Sequence, residues 1–156
     1  MTKRKIRVQT ENGIRELDLT ITFDCTDVDK ATKMTIKTEF DGKEIAAVGT
    51  RYPFEDAYAE LQNKLPENVR LNGCVACRYG NLCPVGNAPD EVFCTKDVRI
   101  TCKSDLFPYT EDTVERSKRS KHFSDGCDDF CPQEVGVYTY NDYLSYLGKM
   151  SLKEKP

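Results

Sequence analysis

The 156-residue sequence lacks long apolar runs and a signal segment. No uninterrupted apolar stretch approaches the roughly 18 residues that a transmembrane helix needs, so no membrane-spanning helix is expected. The start of the chain, residues 1–9, is basic but is not followed by the apolar segment of a secretory signal. These two absences predict a cytoplasmic protein without a membrane partner, in a compartment where thiols stay reduced.

The common catalytic signatures are also absent. The sequence contains no glycine-rich phosphate loop, no HExxH and no GxSxG motif, and its one histidine is His122. A general-base enzyme built on His122 would need a nucleophile and an orienting acid beside it. The preceding residues 116–121 form a charged stretch that is typical of a solvated loop. No catalytic site is evident, and the sequence favours a non-enzymatic role.

The sequence also has no strong excess of positive or negative side chains. The chain has 23 Lys and Arg residues and 26 Asp and Glu residues, which gives a formal net charge of −3. Nucleic-acid-binding domains usually carry a basic surface, so nucleic acid is not an expected partner. The expected partner is a protein of unknown identity. Four C-terminal tyrosines could lie at its interface, but packing on the core is the preferred interpretation for them.

Residues 1–66 contain one cysteine, Cys25, and show clear strand periodicity. Apolar and polar residues alternate at 6–10, 17–23 and 34–40, and a further apolar run covers 44–49. Such alternation is typical of strands with one buried face. Asn12–Gly13 and Asp41–Gly42 are hairpin signals, because these residue types tolerate a positive φ. The region therefore predicts a four-stranded antiparallel meander.

One amphipathic helix is predicted after the meander. Pro53 suits the first helical position, and Pro66 is expected to end the helix at Leu65. Apolar residues recur at helical spacing between these prolines, so one face can pack on the sheet. The members of this apolar stripe are Phe54, Ala57, Tyr58, Leu61 and Leu65.

Residues 67–150 have weaker apolar periodicity and most of the sulfur. Seven of the eight cysteines lie from Cys74 to Cys131, a density above the roughly 8–10% that marks a sulfur-held scaffold. Predicted features here are strands at 69–71, 91–94, 98–102 and 135–140, a loop at 74–89, an exposed excursion at 106–126 and a final helix after Asn141. Residues 151–156 are a predicted tail. We interpret 1–156 as a single α+β domain: a meander with one packed helix, followed by a cysteine-rich β/loop region.

The strongest motif is the CxxC pair Cys74 and Cys77. This spacing lets two thiolates point at one ion, as in zinc knuckles, and tetrahedral zinc needs four ligands. The preferred set is Cys74, Cys77 and Cys94, with Cys83 or a member of a second group as the fourth ligand. The second group consists of Cys102, His122, Cys127 and Cys131. Zinc in such a closed site would have a structural role, and Cys25 would be left over.

Three alternatives to zinc follow from the same residues. Cys83 and Cys131 are each followed by proline, as in iron–sulfur ferredoxins, although the other spacings depart from that pattern. Thiol redox chemistry would place the CxxC pair at a helix N-terminus, and the residues after Cys77 form helices poorly. The third alternative is that several thiols are buried small apolar groups.

The segment from Gly73 to Lys96 resembles an uncharacterised bacterial cysteine-rich domain family. In that family a CxxC, here Cys74 and Cys77, leads through a loop with tyrosine, glycine and proline to a further cysteine beside an aromatic residue, here Cys94. The resemblance covers about residues 70–100. It implies a bacterial cytoplasmic protein with a cysteine knuckle, and it implies no activity.

Overall fold

The computed structural model describes residues 1–82, 90–108 and 113–134, together with residues 141, 143 and 147. Its larger sheet contains β1 (Thr2–Thr10), β2 (Gly13–Phe23), β3 (Met34–Phe40), β4 (Lys43–Gly49) and β5 (Arg70–Asn72). The strand order is β4-β3-β2-β1-β5, and all neighbours are antiparallel. The predicted four-stranded meander is confirmed, and β5 adds a fifth strand beside β1.

Two tight turns set the register of the meander. Between β3 and β4, Asp41 and Gly42 form the predicted two-residue turn, with φ of 49° and 78°. Between β1 and β2, Thr10 pairs with Gly13, so the turn residues are Glu11 and Asn12. The predicted Asn12–Gly13 turn is therefore one residue out of place.

Alternate residues of the meander form the core beneath α1 (Pro53–Lys64). The helix packs on β4 and β3, and Ala57, Tyr58 and Leu61 are fully buried on its inner face. Leu65 follows the helix as its cap residue, which confirms the predicted end. The most deeply buried strand residues are Ile6, Val8, Leu19, Met34, Ile36 and Ala47.

The cysteine-rich region forms a second, smaller antiparallel sheet. It contains β6 (Gly80–Asn81), β7 (Glu91–Cys94) and β8 (Ser120–His122), in the order β6-β7-β8. The short helix α2 (Thr113–Arg119) leads directly into β8. Val75, Val92 and Phe123 join the same buried core as the meander. With two antiparallel sheets and two helices, the described structure is α+β, as predicted.

Two sequence predictions for this region are wrong. Residues 98–102 form no strand, because the Asp105 carboxylate accepts the backbone N–H groups of Thr101 and Cys102 and draws the chain into a 3-10 turn. The described part of 106–126 is not simply the predicted exposed excursion, since it contains α2 and β8 and buries Leu106, Arg119 and Phe123. Arg119 at the end of α2 is buried and donates to the carbonyl oxygens of Cys94 and Asp105, a polar attachment that apolar periodicity does not reveal.

Several predictions fall outside the described residues. These are the strand at 135–140, the tail at 151–156 and most of the final helix, of which Tyr143 and Leu147 are described. In the described ranges no helix is both long and apolar enough to cross a membrane.

Candidate metal centre

Cys74 and Cys77 lie on a tight turn between β5 and β6. The residues Cys74–Ala76 form a 3-10 turn, and the N–H of Cys77 donates to the Cys74 carbonyl at 3.3 Å. The N–H of Gly80 then donates to the Cys77 carbonyl at 3.0 Å. A Cβ atom at Gly80 would lie 2.1 Å from the Cys74 carbonyl oxygen, so the turn closes only with glycine there. We call residues 73–80 the cysteine turn.

The segment after β8 holds one side of the cysteine turn. The N–H of Cys74 donates to the Asp125 carbonyl at 2.6 Å, and the N–H of Val75 donates to the Phe123 carbonyl at 3.0 Å. These bonds fix the backbone of the first ligand candidate against a segment about 50 residues further along the chain.

The Cys127–Cys131 segment reaches the other side. Cys77 and Pro132 form an isolated antiparallel bridge, and the N–H of Arg78 donates to the Cys131 carbonyl at 2.8 Å. The Arg78 guanidinium also lies 4.0 Å from the Cys131 sulfur. The second cysteine group is therefore in part adjacent to the first.

β7 brings Cys94 to the same place. Cys94 pairs with Gly80 across the β6–β7 ladder, and the N–H of Thr95 donates to the Tyr79 carbonyl at 2.9 Å. The bond between Thr95 and Tyr79 extends the β6–β7 ladder by one residue into the cysteine turn. Cys94, at the end of β7, is thus held beside the CxxC pair.

The thiol groups are close enough to influence one another. Burial raises the pKa of the Cys74 thiol well above its ordinary value, and the nearby Cys77, Asp125, Cys94 and Cys127 raise it further. Three other cysteines therefore act on the pKa of Cys74. They belong to the cysteine turn itself, to β7 and to the segment after β8.

The Cys77 sulfur is in a mixed environment. Burial raises its pKa, while the backbone N–H groups of Cys131 and Tyr79 donate to the sulfur and act in the opposite direction. Backbone N–H groups directed at sulfur favour the negatively charged form of the thiol. The turn thus provides donors that a thiolate ligand can use.

The remaining predicted ligands are placed differently. Cys83 lies outside the described residues. Cys102 is exposed at the start of the 3-10 turn Lys103–Leu106, with its sulfur 2.9 Å from the Ser104 hydroxyl. Cys25 is also exposed, and its thiol donates to the Asp27 carbonyl at 2.9 Å.

His122 belongs to a polar cluster with Asp90 and Arg4. Its Nδ1 atom lies 3.3 Å from a carboxylate oxygen of Asp90, and its Nε2 atom lies 3.2 Å from the Arg4 guanidinium. Burial raises the pKa of Asp90 to about 6, against the opposing charges of His122 and Arg4. The cluster joins β1 to β8, and no local motif in the sequence indicates it.

All seven described cysteines are free thiols. In the described ranges, no three Cys, His, Asp or Glu side chains are arranged so that they could hold a metal ion. The fold brings the segments that carry Cys74, Cys77, Cys94 and Cys127 together at the cysteine turn, and metal binding stays a prediction. No family model matches the sequence, and no curated protein is similar to it.

Proposed function

We propose that the protein is a small binding module whose cysteine-rich half is stabilised by one structural zinc ion, without a catalytic role for the metal. The observation that supports this proposal is the meeting of three cysteine-bearing segments: β7 pairs with the cysteine turn at Cys94, and the segments at 123–125 and 131–133 bond to its backbone. Cys74 and Cys77 lie on the turn, Cys94 on β7 and Cys127 after β8. Four thiolates are the donor set of closed, structural zinc sites.

Cys127 is the fourth ligand that we favour. It lies between Asp125 and Cys131, whose carbonyl oxygens accept the N–H groups of Cys74 and Arg78 in the cysteine turn. The side chains would have to turn toward a common point, because the described thiols do not form a ready metal site. The N–H donors directed at Cys77 would then support a zinc-bound thiolate.

The small sheet gives a physical reason for a metal. Its strands have two, four and three residues, which is short for a sheet that must be stable by burial alone. A structural zinc ion supplies folding free energy directly, because the site exists only in the folded chain. A cavity of about 390 Å³ beside the cysteine turn supports the binding role.

Elemental analysis of the purified protein, combined with its native mass, tests the metal. We expect one zinc per chain in the wild type and almost none in Cys94→Ser. Cys25→Ser is the matched control, since Cys25 is exposed and its thiol donates to the Asp27 carbonyl within its own loop; it should keep the zinc. Iron with labile sulfide would identify the iron–sulfur alternative, and a metal-free wild type would contradict the proposal.

Chelation tests whether the zinc is structural. EDTA should lower the thermal midpoint of the wild type and of Cys25→Ser to that of Cys94→Ser, and should leave Cys94→Ser unchanged. An unchanged midpoint and circular dichroism spectrum in the wild type would show that the metal does not support the fold.

A further inference from the structure

β4 is an edge strand of the larger sheet, and β3 pairs with one of its sides only. The Val48 N–H donates to a Glu60 carboxylate oxygen at 2.6 Å, so it points away from β3. Every second residue of an antiparallel strand directs its N–H and C=O groups to the same side, so Glu44 and Ala46 also face outward. An edge with such groups is a template for pairing with another chain.

Two side chains of α1 occupy the outer side of β4. Glu60 accepts the Val48 N–H, and the Lys64 ammonium group donates to the Ala46 carbonyl oxygen at 2.6 Å. Glu60 and Lys64 are one helical turn apart and also form an ion pair, with 2.6 Å between the nitrogen and the carboxylate oxygen. The pair thus takes the place of a neighbouring strand along residues 46–48.

The same helix closes the opposite edge of the sheet, which is β5. The Gln62 side-chain amide donates to the Val69 carbonyl at 2.8 Å, and its oxygen accepts the Leu71 N–H at 2.7 Å. One segment of α1, residues 60–64, therefore supplies hydrogen-bond partners to backbone groups at both edges. Covering an edge with a helix and placing charged side chains on it are known ways to prevent strand addition.

We propose that Glu60 and Lys64 prevent the β4 edge from pairing with the β4 edge of a second copy of this chain. A two-fold axis at Ala46 would set Ala46 opposite Ala46 of the second copy, and Glu44 opposite Val48 of the second copy. Glu44 would then face an apolar residue instead of a like charge. The β4 edge is therefore self-complementary, and the side chains of α1 block it. The inference is independent of zinc.

The test is the double variant Glu60→Ala and Lys64→Ala in the full chain, studied by sedimentation velocity over a wide range of concentrations. Alanine has the highest helix propensity, so α1 should persist, and the net charge is unchanged. The dissociation constant of a dimer should fall at least about tenfold below that of the wild type, because the outward backbone groups of β4 become available for hydrogen bonds between copies.

The matched control is the double variant Lys5→Ala and Glu16→Ala. It removes an exposed ion pair of the same charges, with 3.3 Å between the two groups, from the internal strands β1 and β2. It should sediment as the wild type does. Glu60→Gln is a second control, because the amide oxygen can still accept the Val48 N–H. It should also behave as the wild type, which separates the hydrogen bond from the loss of charge.

Glu44→Pro locates the contact between copies. Proline at this position removes an outward N–H that takes no part in the pairing with β3, and proline is tolerated on edge strands. Added to the double variant of α1, it should restore the sedimentation of the wild type. In the associated double variant, amide hydrogen exchange at Glu44 and Ala46 should be slow at high concentration and fast after dilution.

Three outcomes would overturn the inference. One is a folded double variant of α1 that sediments as the wild type does at every concentration. The others are equal association of the Lys5 and Glu16 control, or association that Glu44→Pro does not reverse. If circular dichroism shows that the double variant does not fold, Glu60→Ala alone applies the same test, because it also frees the Val48 N–H. Zinc is measured on the same samples, so a metal-free protein rejects the zinc proposal without affecting this one.

Discussion

The meander and the cysteine turn are held together in different ways. The four meander strands have 9, 11, 7 and 7 residues, and alternate side chains along them enter one continuous core. The strands of the small sheet have two to four residues, and single contacts fix them, such as the bond from the Arg119 guanidinium to the Cys94 carbonyl. Stability is therefore spread over many residues in the meander, whereas the cysteine-rich region depends on a few.

The largest loss of stability is expected from a substitution in the core of the meander. Ile36 on β3 is fully buried, and Ile36→Ala should lower the free energy of unfolding by about 3–4 kcal/mol. Urea unfolding, followed by circular dichroism, measures the change. Since the meander contains no proposed ligand, the loss should be the same with and without EDTA. A loss that appears only with EDTA would mean that the core depends on the metal.

Gly80→Ala should give the next largest effect, confined to the cysteine turn. A Cβ atom there would meet the Cys74 carbonyl at 2.1 Å, so the backbone must shift, at a cost of about 2–3 kcal/mol. Amide hydrogen exchange should show lost protection in residues 74–82 and 91–94, with the meander strands still protected. Gly42→Ala is the control, because a Cβ atom at Gly42 would have no atom within 4 Å, although its φ of 78° is strained for alanine. Equal loss of protection in residues 74–82 and 91–94 of both variants would contradict the prediction.

Asp90→Asn should give the smallest change in the free energy of unfolding, and this change should be a gain in stability. The pKa of Asp90 is about 6 in the folded protein against an ordinary 3.8, so the folded chain keeps its proton to a higher pH. Stability therefore falls as the pH rises from about 4 to 6, and above 6 the ionised carboxylate costs about 2 kcal/mol. Asparagine removes that cost, can still accept the Phe123 N–H and tolerates the φ of 61°. Urea unfolding should find the variant about 2 kcal/mol more stable at pH 7.5, with the difference close to zero at pH 4.

A variant that is less stable than the wild type at pH 7.5 would show that the contact between Asp90 and His122 outweighs the burial of the carboxylate. His122→Gln is the companion variant, since it removes the ring and leaves Asp90 in place. It should make ionisation of Asp90 more costly and raise the Asp90 pKa further, so that the fall in stability becomes larger and extends above pH 6.

The sequence predicts the meander, α1 and β7 because their signals are local. Hairpin signals and the alternation around Ile36 act over fewer than ten residues, and α1 lies between two prolines. The structure of residues 98–108 and 113–126 could not be predicted in this way. It depends on Asp105 turning its carboxylate onto the backbone, and on Arg119 reaching carbonyl groups that are distant in sequence. Such polar contacts leave no periodic pattern.

The candidate site was likewise predictable only where its signals are local. The spacing of Cys74 and Cys77 predicts their pairing, and Cys94 follows them closely enough in the sequence to be the preferred third ligand. The approach of Cys127 could not be read from spacing, because it results from backbone bonds that segments 123–125 and 131–133 make to the cysteine turn.

The position of β5 at the edge of the meander also indicates the order in which the strands pair during folding. β1 to β4 pair through local hairpins, whereas β1 and β5 pair at Arg7 with Asn72 and at Val8 with Leu71, more than 60 residues apart. Contacts of short separation form faster than contacts of long separation, and a nascent chain folds from its N-terminal side. On the ribosome, the edge of β1 is therefore formed before the seven cysteines from Cys74 to Cys131 emerge, and β5 adds to an edge that already exists.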